Sequence, residues 1–257
     1  FGPKSVEFEE RISKTFGKKL GLFVNSGSSA CLLSLACLDL KDGSEIITPA
    51  MGFSTTIAPI IQLKLKPVFC ECDLLTYCAN TDSVMSYITD NTRAIMLPNL
   101  IGNKPDWNEI KKRLIEMKRE DIYLIEDSAD TITKTEVTDV ATTSFYASHI
   151  ITAGGMGGMV MFNSDKHKKR AIMIRDWGRI GNNLEDLSER FGHEVDGIPY
   201  DYKFLYGALG YNMKCCEMCA AFGLVQLKKF DKFKKIKRSL FKRYCENLKG
   251  IPDLLLP

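Results

Sequence analysis

The sequence predicts an α/β fold built around a parallel sheet. Short apolar runs that suit buried strands alternate with longer runs that suit helices along most of the chain, and no internal repeat occurs. Each predicted strand ends where polar residues begin. With 257 residues, 45% of them hydrophobic and 26% charged, the chain suits one large domain, or one domain with part of a second.

The first half of the chain alternates regularly between strand and helix. Residues 22–24 form an apolar strand, and the polar run 25–29 leads from it into an apolar helix at 30–40. The next elements follow the same pattern, with strands at 46–47, 68–72, 94–97 and 122–125 and helices at 56–65, 82–88 and 107–118. This alternation favours a sheet whose helices cross over between parallel strands.

Two later segments are predicted to be structural. The run 154–158 contains four glycines, but a strand at 159–162 follows it instead of a helix, which favours a tight turn over a nucleotide-binding loop. The basic run 228–243 has apolar residues at helical spacing. A solvated face on a long helix is favoured there over a grip on a nucleotide diphosphate or a membrane.

Charge, hydropathy and cysteine usage exclude several classes of function. The net charge of +3 is too small to indicate nucleic acid or a membrane surface as the principal partner. Three long uncharged stretches are interrupted by polar residues, prolines or glycines, so none is predicted to span a membrane. Nine cysteines, an odd number without framework spacing, predict reduced thiols and a cytoplasmic protein.

Two groups of closely spaced cysteines raise the question of a metal site: Cys70, Cys72 and Cys78, and Cys215, Cys216 and Cys219. Thiolates at such spacings can hold zinc or an iron–sulfur cluster. A structural role is favoured for both groups. Alternation places Cys70 and Cys72 on one strand face, and the spacing of Cys215 and Cys219 is typical of a helix core. No metal site is predicted.

Polar segments after the predicted strands form the candidate site. Ligands of open α/β sheets bind beyond the carboxyl ends of the strands, so four segments are expected to converge: 26–29, 98–102, 126–130 and 144–149. The first opens a helix and offers N–H groups and hydroxyls to a phosphate, although an ordinary serine cap explains it equally well. Asp127 ends a strand, where a carboxylate can keep a pyridine nitrogen protonated; taken alone, capping of the next turn is favoured.

Taken together, six ordered segments resemble the DegT/DnrJ/EryC1/StrS sugar aminotransferase family, and within it the nucleotide-sugar 3-dehydratase branch. The segments span nearly the whole chain: 25–30, 49–56, 126–127, 144–149, 175–179 and 210–212. The resemblance implies the large domain of a fold type I pyridoxal phosphate (PLP) enzyme, three layers around a mainly parallel seven-stranded sheet. We expect this domain at 1–228. A basic linking helix and the start of a small domain are expected at 229–257, and the start at Phe1 and the apolar tail suggest that most of the small domain is missing.

The resemblance also implies roles for residues around the cofactor. Gly27, Ser28 and Ser144 would hold its phosphate, with Ser29 beside them. Phe53 would stack on the pyridine ring.

Three further roles follow from the same resemblance. Asp127 would pair with the pyridine nitrogen. Asp130 lies where transaminating relatives often carry a glutamine against the ring hydroxyl, so its role stays open. Asn212 would reach the cofactor phosphate of a neighbouring subunit, which implies a homodimer with shared active sites.

His149 stands where aminotransferases of this family carry the lysine that anchors PLP. A histidine cannot make that Schiff base, so the resemblance implies a cofactor held without a covalent bond and an imidazole acting as the base. With pyridoxamine phosphate (PMP) joined to the C4 ketone of a 4-keto-6-deoxy sugar, the imidazole would remove a proton and then protonate the departing C3 hydroxyl. Without the surrounding motif, a satisfied core histidine would be favoured.

The cysteines distinguish two types within the branch. CDP-4-keto-6-deoxyglucose 3-dehydratases carry iron–sulfur ligands just after the 175–179 motif, but residues 180–190 contain no cysteine, so no cluster is expected. The nearer resemblance is to GDP-4-keto-6-deoxymannose 3-dehydratases, with an amino-acid donor such as glutamate. The nucleotide stays undetermined. His193, Lys203 and Tyr206 are candidates for contact with the substrate.

The function predicted from the sequence is therefore C3 deoxygenation of a nucleotide-linked 4-keto-6-deoxy sugar in deoxysugar or lipopolysaccharide O-antigen biosynthesis. Two alternatives stay open. One is a PLP-dependent nucleotide-sugar aminotransferase that tolerates the histidine. The other is a catalytically inactive protein of the same fold that serves as a regulatory or scaffolding partner.

Overall fold

A sheet of seven strands organises the fold. The computed structural model describes residues 2–181, 186–252, 254 and 256. The strands are β1 Leu20–Val24, β2 Glu45–Pro49, β3 Lys66–Cys70, β4 Thr92–Pro98, β5 Tyr123–Asp127, β6 Val140–Ser144 and β7 Gly158–Phe162. They lie in the order β1-β7-β6-β5-β4-β2-β3, and all pair in parallel except β7, which is antiparallel to both neighbours. The predicted mainly parallel seven-stranded sheet is confirmed.

Helices cover the two faces of the sheet. Within the described residues they are α1 Pro3–Phe16, α2 Gly27–Ala36, α3 Ser54–Gln62, α4 Thr81–Ser86, α5 Trp107–Glu116, α6 Asp165–Arg175, α7 Leu187–Phe191, α8 Glu217–Lys228 and α9 Phe230–Leu248. A hairpin of β8 His193–Val195 and β9 Ile198–Tyr200 follows α7. None of these helices is long and apolar enough to cross a membrane.

Alternating side chains of the strands build a core on each face of the sheet. On one face, Leu22 and Val24 belong to a cluster formed with α2, α3 and α6. On the opposite face, Phe23 packs with α1 and α8, and its ring meets that of Phe8 edge-on at 5.3 Å. Helices α4 and α5 cover the rest of that second face. The chain therefore has the predicted three-layer α/β/α architecture.

A carboxylate from α8 caps α1 across almost the whole length of the chain. Glu217 accepts hydrogen bonds from the Gly2 N–H at 3.0 Å and the Ser5 N–H at 3.2 Å, and from the Ser5 hydroxyl at 2.6 Å. The first N–H groups of a helix have no intrahelical partner, and a negative charge there is favoured by the helix dipole. The contact fixes the start of α1 against the start of α8.

A buried polar network lies behind β5. The side chains of Lys18 and Glu126 are fully buried, with Nζ and Oε1 3.9 Å apart. Thr138 links the two residues: its Oγ1 lies 2.8 Å from the Lys18 amine and 3.0 Å from the Glu126 carboxylate. Asn99 Nδ2 donates to Glu126 at 2.8 Å, and Trp107 Nε1 donates to Asn99 Oδ1 at 3.0 Å. Buried charges are tolerated when paired and hydrogen-bonded in this way.

The structure refines three predictions about local structure. Residues 154–158 form a turn rather than a nucleotide loop, with Gly154, Gly155 and Gly157 at φ of 77°, 93° and 104°, which favour glycine. Cys70 is buried at the end of β3, but Cys72 lies beyond the strand and is half-buried, so the prediction that both lie on one strand face is wrong. Helix α9 has no buried residue, as expected of a solvated helix. The domain boundary near residue 228 stays a prediction.

Candidate active site

The loops that follow β1, β5 and β6 enclose a cavity of about 410 Å³. Residues of segments 25–28, 127–130 and 144–149 line it, together with Phe53 and residues 156–157. Three of the four polar segments predicted to converge therefore do so. The fourth, 98–102, is not part of the lining, because Asn99 turns back into the buried network behind β5. The segment nevertheless approaches the site, because the Ile101 backbone forms a hydrogen bond with Asp130 on the cavity wall.

The start of α2 forms one corner of this cavity, which we call the anion corner because its free N–H groups suit a negatively charged group. Ser26 is the N-cap, and its Oγ accepts the Ser29 N–H at 3.1 Å. The preceding N–H groups, those of Gly27 and Ser28, are left without intrahelical acceptors and lie at the positive end of the helix dipole. A Cβ on Gly27 would come within 2.6 Å of the Ser144 Cβ, so only glycine lets the two segments approach. This geometry fits a phosphate held by Gly27, Ser28 and Ser144.

Asp127 presents a buried carboxylate at the end of β5. Thr56 Oγ1 donates to its Oδ2 at 2.7 Å, and Thr142 Oγ1 lies 3.4 Å from Oδ1. The Ala129 N–H also donates to Oδ1, at 3.3 Å. A buried carboxylate that is fixed on several sides suits a cationic ring nitrogen, the partner expected for the pyridine of PLP. Phe53 lies on the cavity wall with its side chain mostly exposed, so its ring is free to cover a ligand.

His149 lies in the same cavity, paired with Asp130. The two residues are partly exposed, and Nδ1 of the imidazole is 3.3 Å from Oδ1 of the carboxylate. The hydrogen bond with His149 lowers the pKa of Asp130, so this carboxyl stays ionised near neutral pH. An imidazole whose Nδ1 donates to a carboxylate keeps Nε2 as the free acceptor, the state needed for a base. The sequence left the role of Asp130 open, and the structure places its carboxylate against His149.

The wall of the cavity contains no lysine among the residues that the structure describes. An amine capable of a Schiff base with PLP is therefore missing from this described lining, and the imidazole of His149 is the titratable nitrogen base on it. The anion corner, Asp127 and Phe53 together fit a phosphorylated pyridine that is held by non-covalent contacts alone.

The remaining predicted residues lie outside the cavity wall. The Ser29 N–H donates to the Oγ of the N-cap residue Ser26. Asn212 is exposed, and its backbone forms an isolated antiparallel β-bridge with that of Asp176. The ring of His193 stacks on Tyr202 with centroids 3.9 Å apart.

Lys203 and Tyr206 follow the β8–β9 hairpin. Lys203 belongs to a short 3-10 turn at Tyr202–Phe204, and Tyr206 is exposed and bridges to Arg179. Roles for these residues and for Asn212 in substrate or subunit contacts stay predictions.

Two residues important to the site were missed at the sequence level. Thr56 donates a hydrogen bond to Asp127 from helix α3, and the sequence motifs included it only as the last residue of segment 49–56. Asn25 lines the cavity, and its Oδ1 is buried without a hydrogen-bond partner. Buried polar atoms are usually paired, so this oxygen is suited to receive a donor from a ligand. The position of Asn25 directly after a strand was the signal that could have found it.

Within the described part of the chain, no group of three or more His, Cys, Asp or Glu side chains is arranged to hold a metal ion. Cys215 and Cys219 are buried in the core between α1 and α8, as predicted from their spacing. The stretch after the 175–179 motif, where cluster ligands were expected to be missing, lies partly outside the described residues.

Comparisons with known proteins agree with the fold. The family model described as the DegT/DnrJ/EryC1/StrS aminotransferase family matches residues 1–257. A dTDP-4-dehydro-2,6-dideoxy-D-glucose 3-dehydratase of Saccharopolyspora spinosa is 36% identical over 280 residues, which cover 100% of this chain and 59% of that protein. The chain thus spans about three fifths of the length of the curated relatives it matches.

Solved structures give the same picture. An E. coli GDP-4-keto-6-deoxy-D-mannose-3-dehydratase with bound hydrated PLP has a TM-score of 0.84 and 30% identity, over 98% of this chain and 67% of that one. A GDP-4-keto-6-deoxymannose-3-dehydratase with a trapped PLP-glutamate geminal diamine has a TM-score of 0.83 and 30% identity, with the same coverage.

Proposed function

Because this chain belongs to the DegT/DnrJ/EryC1/StrS aminotransferase family, we propose that it serves the C3 dehydration of a nucleotide-linked 4-keto-6-deoxy sugar, with His149 as the base. The observation that carries the proposal is the pair of His149 and Asp130 on a cofactor-sized cavity whose described wall has no lysine. Relatives at 30% to 36% identity include 3-dehydratases of 4-keto sugars, which supports the same reaction class.

Different residues of the cavity would bind different parts of the cofactor. Gly27, Ser28 and Ser144 would bind the phosphate, Asp127 the pyridine nitrogen, and Phe53 the face of the ring. The chemistry that PMP supplies in such a site is an amine for the C4 ketone and a ring that accepts electrons. No covalent bond to the protein is needed for either task.

His149 moves the protons in this proposal. Its Nε2, left free by the contact of Nδ1 with Asp130, would take a proton from the reacting carbon and return one to the C3 oxygen as water leaves. Asp130 stays ionised and stabilises the imidazolium that forms between the two steps. A lysine at this position would instead compete for the cofactor as a covalent anchor.

Substrate and partners are part of the same proposal. The related enzymes differ in nucleotide, since one acts on a dTDP sugar and another on a GDP sugar, so the sugar carrier is left open. Glutamate is the proposed amino donor, as the trapped adduct in a related enzyme supports. We further propose a cytoplasmic homodimer in which Asn212 reaches the partner's cofactor, acting in deoxysugar or lipopolysaccharide biosynthesis.

The experiment supplies the protein with PMP and a panel of GDP-, CDP- and dTDP-linked 4-keto-6-deoxy sugars, and identifies products by mass spectrometry. Loss of the C3 oxygen is expected, and His149→Asn should slow it by about 10²- to 10⁴-fold, the range for removing a general base. His149→Lys should form a borohydride-reducible link to PLP and suppress dehydration. His167→Asn, a change on α6 away from the cavity, is the matched control and should keep full activity.

Three outcomes would contradict the proposal. An amino sugar that retains its C3 oxygen would indicate an aminotransferase. A borohydride-reducible link in the unmodified protein would show that a lysine anchors the cofactor. If neither PLP nor PMP produced a bound-cofactor absorption spectrum, the inactive-partner alternative would be favoured.

A further inference from the structure

Two cysteines face each other at the start of α8, outside the site already described. Cys216 is the N-cap of the helix and Cys219 lies in its first turn, separated by two residues in the sequence. Their Sγ atoms are 3.2 Å apart. A disulfide has an S–S distance of about 2.05 Å, so closure requires a relative movement of only about 1 Å.

The two thiols have unequal environments. Cys216 is exposed, whereas Cys219 is buried against the core. The side-chain hydrogen bond between Cys216 and Cys219 lowers the pKa of Cys216, and the backbone N–H groups at the start of the helix lower it further. Burial raises the pKa of Cys219. This is the division expected between an attacking thiolate and a protected resolving thiol.

We propose that Cys216 and Cys219 form a redox-active dithiol, which closes to an intramolecular disulfide by exchange with a low-molecular-weight disulfide. The Cys216 thiolate attacks one sulfur of the disulfide RSSR; a bond forms between Cys216 Sγ and that sulfur, and RS⁻ leaves. Cys219 then gives its proton to solvent and attacks Cys216 Sγ, releasing the second RS⁻. Overall, two protein thiols are oxidised and one RSSR is reduced to two RSH.

Cys215 is a neighbour rather than a member of this pair. It is buried, and burial raises its pKa to about 12, so it carries little thiolate near neutral pH. The metal-binding alternative lacks support, because no group of three ligands forms in the described part of the chain. Exchangeable disulfides in reducing compartments are typically transient and serve redox chemistry or sensing, which fits an exposed first cysteine.

The test counts thiols and so does not depend on the proposed sugar chemistry. The protein is incubated with glutathione disulfide or with dithiothreitol, alkylated, digested with trypsin and analysed by mass spectrometry. Cleavage after Lys214 and Lys228 releases residues 215–228, a peptide with three cysteines. The reduced protein should yield three alkyl groups on this peptide. The oxidised protein should yield one, on Cys215, with the loss of two hydrogens elsewhere in the peptide.

Three variants sharpen the assignment. Cys219→Ser should stop the reaction at a glutathione adduct on Cys216, and Cys216→Ser, which retains a good N-cap residue, should form neither adduct nor disulfide. Cys245→Ser, on the exposed helix α9, is the matched control and should close the disulfide normally. In the reduced protein, Cys216 should also alkylate about tenfold faster than Cys215 near pH 7, as thiolate character dictates. Retention of three alkyl groups under excess glutathione disulfide, or a bond that uses Cys215, would overturn the proposal.

Discussion

Replacing Lys18 by methionine is expected to destabilise the fold, because it leaves the buried carboxylate of Glu126 beside the site without its ion-pair partner. Lys18 and Glu126 are fully buried and 3.9 Å apart, and Glu126 directly precedes Asp127 on β5. Methionine keeps much of the lysine volume but removes the charge, so Glu126 is left as an uncompensated buried carboxylate. Hydrogen bonds from Asn99 and Thr138 remain.

The expected cost follows from this burial. Breaking a fully buried ion pair by removing one partner costs about 3–5 kcal/mol, and the two surviving hydrogen bonds to Glu126 place the value near the lower end. The cost should depend on pH. Burial raises the pKa of Glu126, whereas the charge of Lys18 opposes that rise. Without Lys18, the pKa of Glu126 in the folded protein rises further. A carboxyl whose pKa is raised by folding loses stabilising free energy as the pH increases through that pKa. The loss of stability caused by Lys18→Met should therefore be smaller near about pH 5 than near about pH 8.

Urea unfolding followed by the fluorescence of the buried Trp107 measures these differences. Lys66→Met is the control, because Lys66 pairs with Glu45 at 3.0 Å from an exposed position and should cost at most about 1 kcal/mol. The double variant Lys18→Met/Glu126→Gln should be clearly less destabilised than the sum of its single changes, since neither charge is left alone. Additive single effects, or a Lys18→Met cost equal to that of the control, would refute the reasoning.

Two further predictions concern the cavity itself. Thr56→Val should lower the free energy of unfolding by about 1.5–3 kcal/mol, because Asp127 loses its shortest hydrogen bond and a hydrogen bond to a charged group has this value. Thr56→Ser keeps a hydroxyl and should retain most of the stability in the same urea assay. Equal losses in the two variants would contradict this role. Gly27→Ala should weaken PLP binding by about tenfold or more in an absorbance titration, because the new Cβ would lie 2.6 Å from the Ser144 Cβ. Gly52→Ala, where an added Cβ makes only ordinary contact, should bind PLP normally. Unchanged affinity of Gly27→Ala would argue against phosphate binding at the anion corner.

The sheet and the anion corner were accessible from the sequence because their signals are local. Apolar runs of strand length predicted the sheet, and the polar run after 22–24 predicted the start of a helix that binds an anion. The actual start of α2 at Gly27, earlier than the predicted residue 30, follows from the cap formed by Ser26. Element boundaries depend on such single hydrogen bonds, which periodicity does not register.

The contacts within the site were less accessible because they join separate elements. The pairing of Asp130 with His149 requires the loops after β5 and β6 to approach each other, and Thr56 reaches Asp127 from helix α3. The position of segment 98–102 beside the cavity, rather than in its lining, has the same origin. Its position after a strand predicted a place in the cavity, but Asn99 instead satisfies buried polar groups behind β5, a demand that only the folded core creates.

The cap that Glu217 provides for α1 has a consequence for the order in which the protein is built. Helix α1 is translated before the other elements described above, and the carboxylate that holds its leading amides is translated more than 200 residues later. At about 5–20 residues per second, this leaves the first turn of α1 uncapped for roughly 10–40 s. Capping of α1 thus has to wait until Glu217 has been synthesised, and a nascent chain stalled before Glu217 should show this helix frayed and open to proteases.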